Sequence, residues 1–198
     1  MRLFIAIRLP ENIRKEISLL QLRLGKTARR VKWVAPENIH LTLKFIGEAQ
    51  EEQVENITRA MAEAVKGINP FVISLAALGA FPSLREARVI WVGINKGREE
   101  SEKIAQRLQV SLKNIAPQDD KPFKSHITIG RVKSGRSMRP KGRGWDAVEV
   151  SESSPLQEGL SIEKKEFNAE KITLFKSTLT HQGSSYEIIK EIFLKILR

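Results

Sequence analysis

The chain contains no cysteine. That excludes a disulfide-stapled scaffold, a thiolate nucleophile, and zinc or iron–sulfur centres held by thiolates. Histidine is scarce, with three in 198 residues. Long hydrophobic runs are missing as well. The opening Met1-Arg2-Leu3-Phe4-Ile5-Ala6-Ile7-Arg8-Leu9-Pro10 holds a short apolar run between two arginines, too short for a signal-peptide core or a membrane span. It reads as a buried strand, and a cytoplasmic location is expected. No Walker-type glycine loop or dinucleotide fingerprint occurs. Acidic residues are outnumbered, 23 against 34 basic, which leaves a net charge of +11. A field of that sign attracts polyanions, with nucleic acid the leading class and an anionic membrane surface second.

What is present is ordinary for a folded, soluble chain: 41% apolar and 29% charged residues, at a length that buries a real core. Leu3 to Leu9 reads as a strand stopped by Pro10. Ile13, Ile17, Leu20 and Leu24 follow at helical spacing, with Gly25 as the stop. Strands are expected at 31–34 and 39–46, a helix over 50–66, strands at 71–78 and 89–94, a helix over 99–115, and a strand within 123–132. Residues 133–146 read as an exposed loop. Later strands are expected at 145–150 and 167–177, with a last segment from Tyr186 running as strand into a C-terminal helix. Strand pairs on short turns favour antiparallel sheets with helices packed on one face, an α+β fold. No linker separates independent domains, so residues 1–198 read as one domain.

Two stretches carry the chemistry: His40-Leu41-Thr42-Leu43-Lys44-Phe45-Ile46-Gly47 and His126-Ile127-Thr128-Ile129-Gly130. On a strand, residues i and i+2 share a face. His40 and Thr42 therefore stand opposite Leu41 and Leu43, and His126 and Thr128 opposite Ile127 and Ile129. The two motifs, centred on 40–42 and 126–128, lie about half the chain apart and suggest a duplicated lobe. Imidazole, with an unperturbed pKa of about 6.5, gains or loses a proton near neutrality. One neutral ring can accept a proton while a second, protonated, donates one. Threonine hydroxyls beside them can donate to phosphate oxygens. Two such units form a clamp for phosphodiester chemistry that needs no metal. No zinc site is expected, because the motifs lack Cys, a second nearby His and a carboxylate.

With these motifs and their flanks, the sequence resembles the 2H phosphoesterase superfamily, and within it the RNA 2′,3′-cyclic phosphodiesterases, historically called 2′-5′ RNA ligases. The resemblance covers nearly the whole chain. Arg2-Leu3-Phe4-Ile5-Ala6-Ile7 with Pro10 is similar to the family's opening strand. Trp33-Val34 and the first motif match its first signature, Lys124-Ser125 with the second motif and Arg131 its second, and Gly183-Ser184-Ser185-Tyr186 its closing Gly-x-x-Tyr. Ser125 departs from the proline that many relatives place before the second histidine. The resemblance implies a bilobal fold of two pseudo-symmetric lobes, each an antiparallel sheet with helices outside, and a central cleft. It implies that His40 and His126 are catalytic, His40 as proton donor and His126 as acceptor, with Thr42 and Thr128 binding phosphate. The implied reaction opens an RNA 2′,3′-cyclic phosphate to a 2′-phosphomonoester, tRNA fragments being candidate substrates. With an RNA 5′-hydroxyl as nucleophile, the same site would form a 2′-5′ bond.

A cation is expected beside the phosphate. Lys124 is the best placed, since 124, 126 and 128 share a face. Lys44 shares parity with His40 and Thr42. Arg131 has the wrong parity unless a bulge at Gly130 brings it back. From Lys121 to Arg143 there are eight basic residues and no acid. Arg131, Lys133, Arg136, Arg139, Lys141 and Arg143 are thus candidate RNA contacts, as is Tyr186 by base stacking. Trp33, Phe81 and Phe45 are further stacking candidates, although the parity of Phe45 assigns it to the core. No cofactor is called for, but a basic cleft could take ATP or GTP without a dedicated motif. A monomer is expected. The alternatives are a basic RNA-binding module whose histidines do no chemistry, and a 2H enzyme acting on 2′-5′ oligoadenylate or another cyclic nucleotide.

Overall fold

The computed structural model describes residues 1–26, 28, 30–83, 86–133, 162, 165–181 and 183–195. In chain order the elements are β1 (Arg2–Arg8), α1 (Glu11–Gly25), β2 (Val31–Trp33), β3 (His40–Glu48), α2 (Val54–Val65), β4 (Phe71–Phe81), β5 (Val89–Ile94), α3 (Arg98–Ser111), β6 (His126–Val132), β7 (Glu166–Ala169), β8 (Lys171–Thr180) and β9 (Gly183–Phe193). They build two antiparallel sheets, one ordered β3-β1-β8-β9 and the other β2-β6-β5-β4-β7. The α+β reading of the sequence holds. β3 and β6, the two His-x-Thr strands, approach one another where the sheets meet.

One large apolar cluster runs through both sheets. Leu3, Ile5 and Ile7 of β1, Leu41 and Leu43 of β3, Val92 of β5 and Ile127 and Ile129 of β6 all belong to it. The alternation in each strand thus sends one side chain set to a common core and leaves the other set free. Helix α1 buries Ile13, Ile17, Leu20 and Leu24, a stripe at 3.6-residue spacing. It also buries Gln21, whose Nε2 donates to the carbonyls of Val34 (2.9 Å) and Ile129 (2.8 Å). That buried amide satisfies both its donors and pins α1, which grows out of one sheet, to the second His-x-Thr strand in the other. α2 opens behind a short 3-10 turn, where the Gln50 backbone N–H donates to Gln53 Oε1 at 2.8 Å, a reciprocal cap of orphan amides.

Three sequence expectations need correction. Residues 167–177 do not form one strand. The chain runs β7 in the five-stranded sheet, crosses at Glu170, and continues as β8 in the four-stranded sheet. No C-terminal helix follows Tyr186 among the described residues. β9 stays paired to β8 from Gly183 to Phe193, where Ile188, Ile189 and Ile192 suit a pleated surface. The expected 50–66 helix begins only at Val54. The strand expected at 145–150 and most of the 133–146 loop lie outside the described residues.

Candidate active site

Each catalytic candidate is aimed by its own backbone. His40 Nδ1 lies 2.7 Å from the carbonyl of Asn38, and His126 Nδ1 lies 2.6 Å from the carbonyl of Lys124. In both cases the acceptor is the carbonyl two residues earlier. A carbonyl only accepts, so Nδ1 carries the hydrogen and the neutral ring presents Nε2 as its free, basic nitrogen. Asn38 is itself clipped, its Nδ2 donating to Ser184 O at 2.6 Å. The residue that aims His40 is thereby tied to the β8–β9 hairpin. Thr42 and Thr128 are half-buried, and neither hydroxyl has a hydrogen-bond partner among the described residues. Both remain available to donate to a bound anion.

The two strands share a second feature. β1 pairs Ala6 with Thr42 but Ile5 with Lys44, so one residue of β3 bulges there. β5 pairs Trp91 with Thr128 but Ile90 with Gly130, so β6 bulges at the matching place. A bulge adds one residue and reverses the facing of everything after it. The outcome contradicts parity counting in β3. Lys44 turns inward, 3% exposed, and its ammonium donates to Pro117 O and Asp119 Oδ2, both at 2.6 Å, and to Gln109 Oε1. It is a staple between β3 and the segment after α3, not a phosphate ligand. Phe45 turns outward and is 57% exposed, so it is not core. In β6 the same bulge brings Arg131 to the histidine face, and its positive charge is felt by His126. Gly130 leaves no room for a side chain, since a Cβ there would meet Val31 Cγ1 at 2.6 Å and the Trp33 ring at 2.9 Å. Trp33 packs against the core rather than standing free.

Aromatic rings wall both histidines. Phe4 lies 4.8 Å and Tyr186 5.4 Å from the His40 ring, with Phe175 beyond and Phe45 at 6.2 Å from Phe4. Phe81 stands edge-on to His126 at 5.0 Å, and Trp91 at 6.2 Å. Phe4, Phe175 and Trp91 escaped the sequence reading, because a short aliphatic-aromatic strand looks buried on both sides. The signal was in β1, where Phe4, Ala6 and Arg8 alternate with Leu3, Ile5 and Ile7.

Burial under these rings disfavours the imidazolium. It pushes His40 down to about 4, against a weaker opposing pull from the Asn38 carbonyl. His126 is also lowered, first by burial, and then by Arg131 on top of the opposing Lys124 carbonyl. Lys124 contributes that carbonyl while its side chain is exposed, as is Lys133. Arg136, Arg139, Lys141 and Arg143 lie outside the described residues. No group of three His, Asp or Glu side chains among the described residues is placed to hold a metal ion. No described helix is long and apolar enough to cross a membrane.

Trp91 is held by a close approach. Its six-membered ring lies on Gly79, where a Cβ would fall 2.2 Å from Cη2 and Cζ2. Gly79→Ala is expected to cost about 1–3 kcal/mol of stability by overpacking and to lower turnover by shifting the ring beside His126. Thermal melts with steady-state rates check this. An alanine variant with wild-type melting and rate would show that the Trp91 position is immaterial.

The profile of a family described as "LigT like Phosphoesterase" matches residues 7–91. A curated RNA 2′,3′-cyclic phosphodiesterase of Archaeoglobus fulgidus is 38% identical over 190 residues, spanning 96% of this chain and 98% of that protein. Its counterpart in Methanocaldococcus jannaschii is 36% identical over 192 residues, spanning 96% of this chain and 99% of its own. Among solved structures, E. coli LigT complexed with 3′-AMP superposes with a TM-score of 0.71 at 25% identity, covering 98% of each chain.

Proposed function

The chain belongs to the LigT-like phosphoesterases, the two-histidine family that includes RNA 2′,3′-cyclic phosphodiesterases, and on that premise we propose that it hydrolyses the 2′,3′-cyclic phosphate at an RNA end to a 2′-phosphomonoester. The observation that carries this reading is the repetition of one half-site. Each has an imidazole with Nδ1 fixed to a carbonyl two residues back, a threonine hydroxyl on the same face with no hydrogen-bond partner among the described residues, and a bulge just beyond.

In the reaction, water attacks phosphorus and loses a proton to Nε2 of one ring. The bond to the ribose 3′-oxygen breaks, and that oxygen takes a proton from Nε2 of the other. Thr42, Thr128 and Arg131 donate to the phosphoryl oxygens as charge builds on them. The causes of the two pKa shifts support His40 as donor and His126 as acceptor. His40 is depressed by burial alone, which a bound phosphate anion reverses. His126 has a fixed cation, Arg131, beside it, which keeps its ring neutral when the anion binds. Proton NMR titration of the ring Cε1–H signals, with and without a 2′-nucleotide, tests this assignment. The ligand should raise His40 more than His126; the reverse order would exchange their roles.

The function itself is tested by following an RNA oligonucleotide with a 2′,3′-cyclic phosphate by phosphorus NMR, in the presence of EDTA. A 2′-phosphate product is expected. RNA bound but unchanged would favour a basic RNA-binding module instead. The same steps with an RNA 5′-hydroxyl in place of water give a 2′-5′ linkage, the 3′-oxygen leaving as before, so one site would serve hydrolysis and ligation.

A further inference from the structure

The catalytic reading leaves one cation next to His40 without a task. β1 carries Phe4, Ala6 and Arg8 on the face away from the main core, and Arg8 is the register partner of His40. Directly paired residues of antiparallel strands project from the same face with Cα atoms about 5 Å apart. Arg8 confirms its side by meeting Glu191 of β9, Nη1 to Oε1 at 3.5 Å. That carboxylate is shared. Lys171 holds it at 2.7 Å and, by its hydrogen bond, is the main reason that Glu191 titrates below the usual range, with Arg8 contributing less. Two cations thus face one carboxylate, and Arg8 has the longer contact. Its side chain is 46% exposed, and most of its five N–H donors remain unused among the described residues.

The surroundings say what this cation fits. Toward the other end of β3, the exposed Phe45 and the half-buried Tyr186, both backed by the buried Phe4, offer aromatic surface, the chemistry of a base. The phosphate at the reacting centre is served by Thr42, Thr128 and Arg131. In the other sheet the position paired with His126 is Gly93, which has no side chain. Arg131 of that sheet is taken up by the reacting phosphate, so the planar, permanently charged fork of Arg8 beside His40 is suited to a second phosphate approaching from that side.

We propose that Arg8 anchors the internucleotide phosphate on the 5′ side of the terminal nucleotide, so that the site reads an RNA end of at least two nucleotides in preference to a cyclic mononucleotide. This rests on the hydrolase reading above. The test compares wild type and Arg8→Gln on two substrates, a nucleoside 2′,3′-cyclic phosphate and a dinucleotide ending in that same group. The ratio of kcat/KM, dinucleotide over mononucleotide, should fall about tenfold in Arg8→Gln, through KM, because a charge-assisted phosphate contact is lost. The slope of log KM against log salt on the dinucleotide should shrink by about 0.7, one contact on a single strand. Arg8→Lys should fall between the two. An unchanged ratio overturns the proposal, whether both rates drop or neither does. Turnover of neither substrate by wild type removes the hydrolase reading instead. Equilibrium binding of the mono- and dinucleotide 2′-phosphates then decides the anchor, with selective weakening on the dinucleotide supporting it and equal affinity ratios sinking it.

Discussion

His40→Ala and His126→Ala are each expected to lower kcat about 10²–10⁴-fold while leaving a folded protein. Among the described residues each ring has one hydrogen bond, to a carbonyl within its own strand entry, and each stands on the face opposite the main core. Deleting the ring therefore removes a proton carrier without opening the shared apolar cluster. His40 also packs against Phe4 and Tyr186, so its alanine variant should melt a few degrees lower, about 2–4 °C per kcal/mol lost at this chain length. Near-ultraviolet circular dichroism, melting curves and steady-state rates on a cyclic-phosphate RNA end measure these outcomes together. Because the proposed donor and acceptor act in one step, the double variant should be hardly slower than either single one. A single variant that keeps a tenth of the wild-type rate, with its fold intact, would rule out paired proton transfer.

The parts of this site that were legible in the sequence are local ones. Strict alternation over four residues is enough to place His40 with Thr42 and His126 with Thr128, since one strand face needs no knowledge of its neighbours. The apolar partners Leu41, Leu43, Ile127 and Ile129 pointed to a core, and all four are in it. What lay beyond Thr42 was not legible, because parity counting assumes a regular ladder. The bulge in β3 exchanges the places of Lys44 and Phe45, so that the lysine whose parity matched His40 is buried and the phenylalanine whose parity matched the core is exposed. A bulge arises from how two strands twist together, and a single strand's residues do not announce it. Gly130 did announce one, because glycine within a strand pattern marks close backbone approach, and Trp33 fills that space.

Long-range pairing was the other hidden quantity. The stretch 166–180 has one continuous β pattern, but it serves two sheets with a crossing at Glu170. Nothing in local propensity distinguishes a ten-residue strand from a strand that changes partners. For the same reason the gathering of aromatic rings around His40 was not legible. Phe4 of β1 lies far in sequence from Phe175 and Tyr186 of the β8–β9 hairpin, and they meet around His40 only through the order β3-β1-β8-β9.

Those rings give the second large effect, a loss of stability in acid before the carboxylates titrate. An unfolded chain binds a proton on histidine near 6.5, while burial holds His40 of the folded protein at about 4. Between these values the unfolded state binds more protons, so acidification favours unfolding. Stability is complete above about pH 6.5 and falls as the pH drops through that window. For His40 the total is on the order of 3 kcal/mol, and His126, lowered as well, adds in the same direction. Glu191, depressed by Lys171 and Arg8, contributes at lower pH, below its ordinary value of 4.5, and so does not blur the window. Urea midpoints of wild type and His40→Phe at pH 7.5 and 4.5 isolate the histidine. A phenylalanine extends the ring cluster and cannot be protonated, so the variant should keep most of the stability that wild type loses. Parallel losses in both proteins would mean that His40 is not buried as a neutral ring. The same burial that makes the fold acid-sensitive leaves the His40 ring uncharged in the free protein, so a bound phosphate anion has to restore its proton before it can act as the proposed donor.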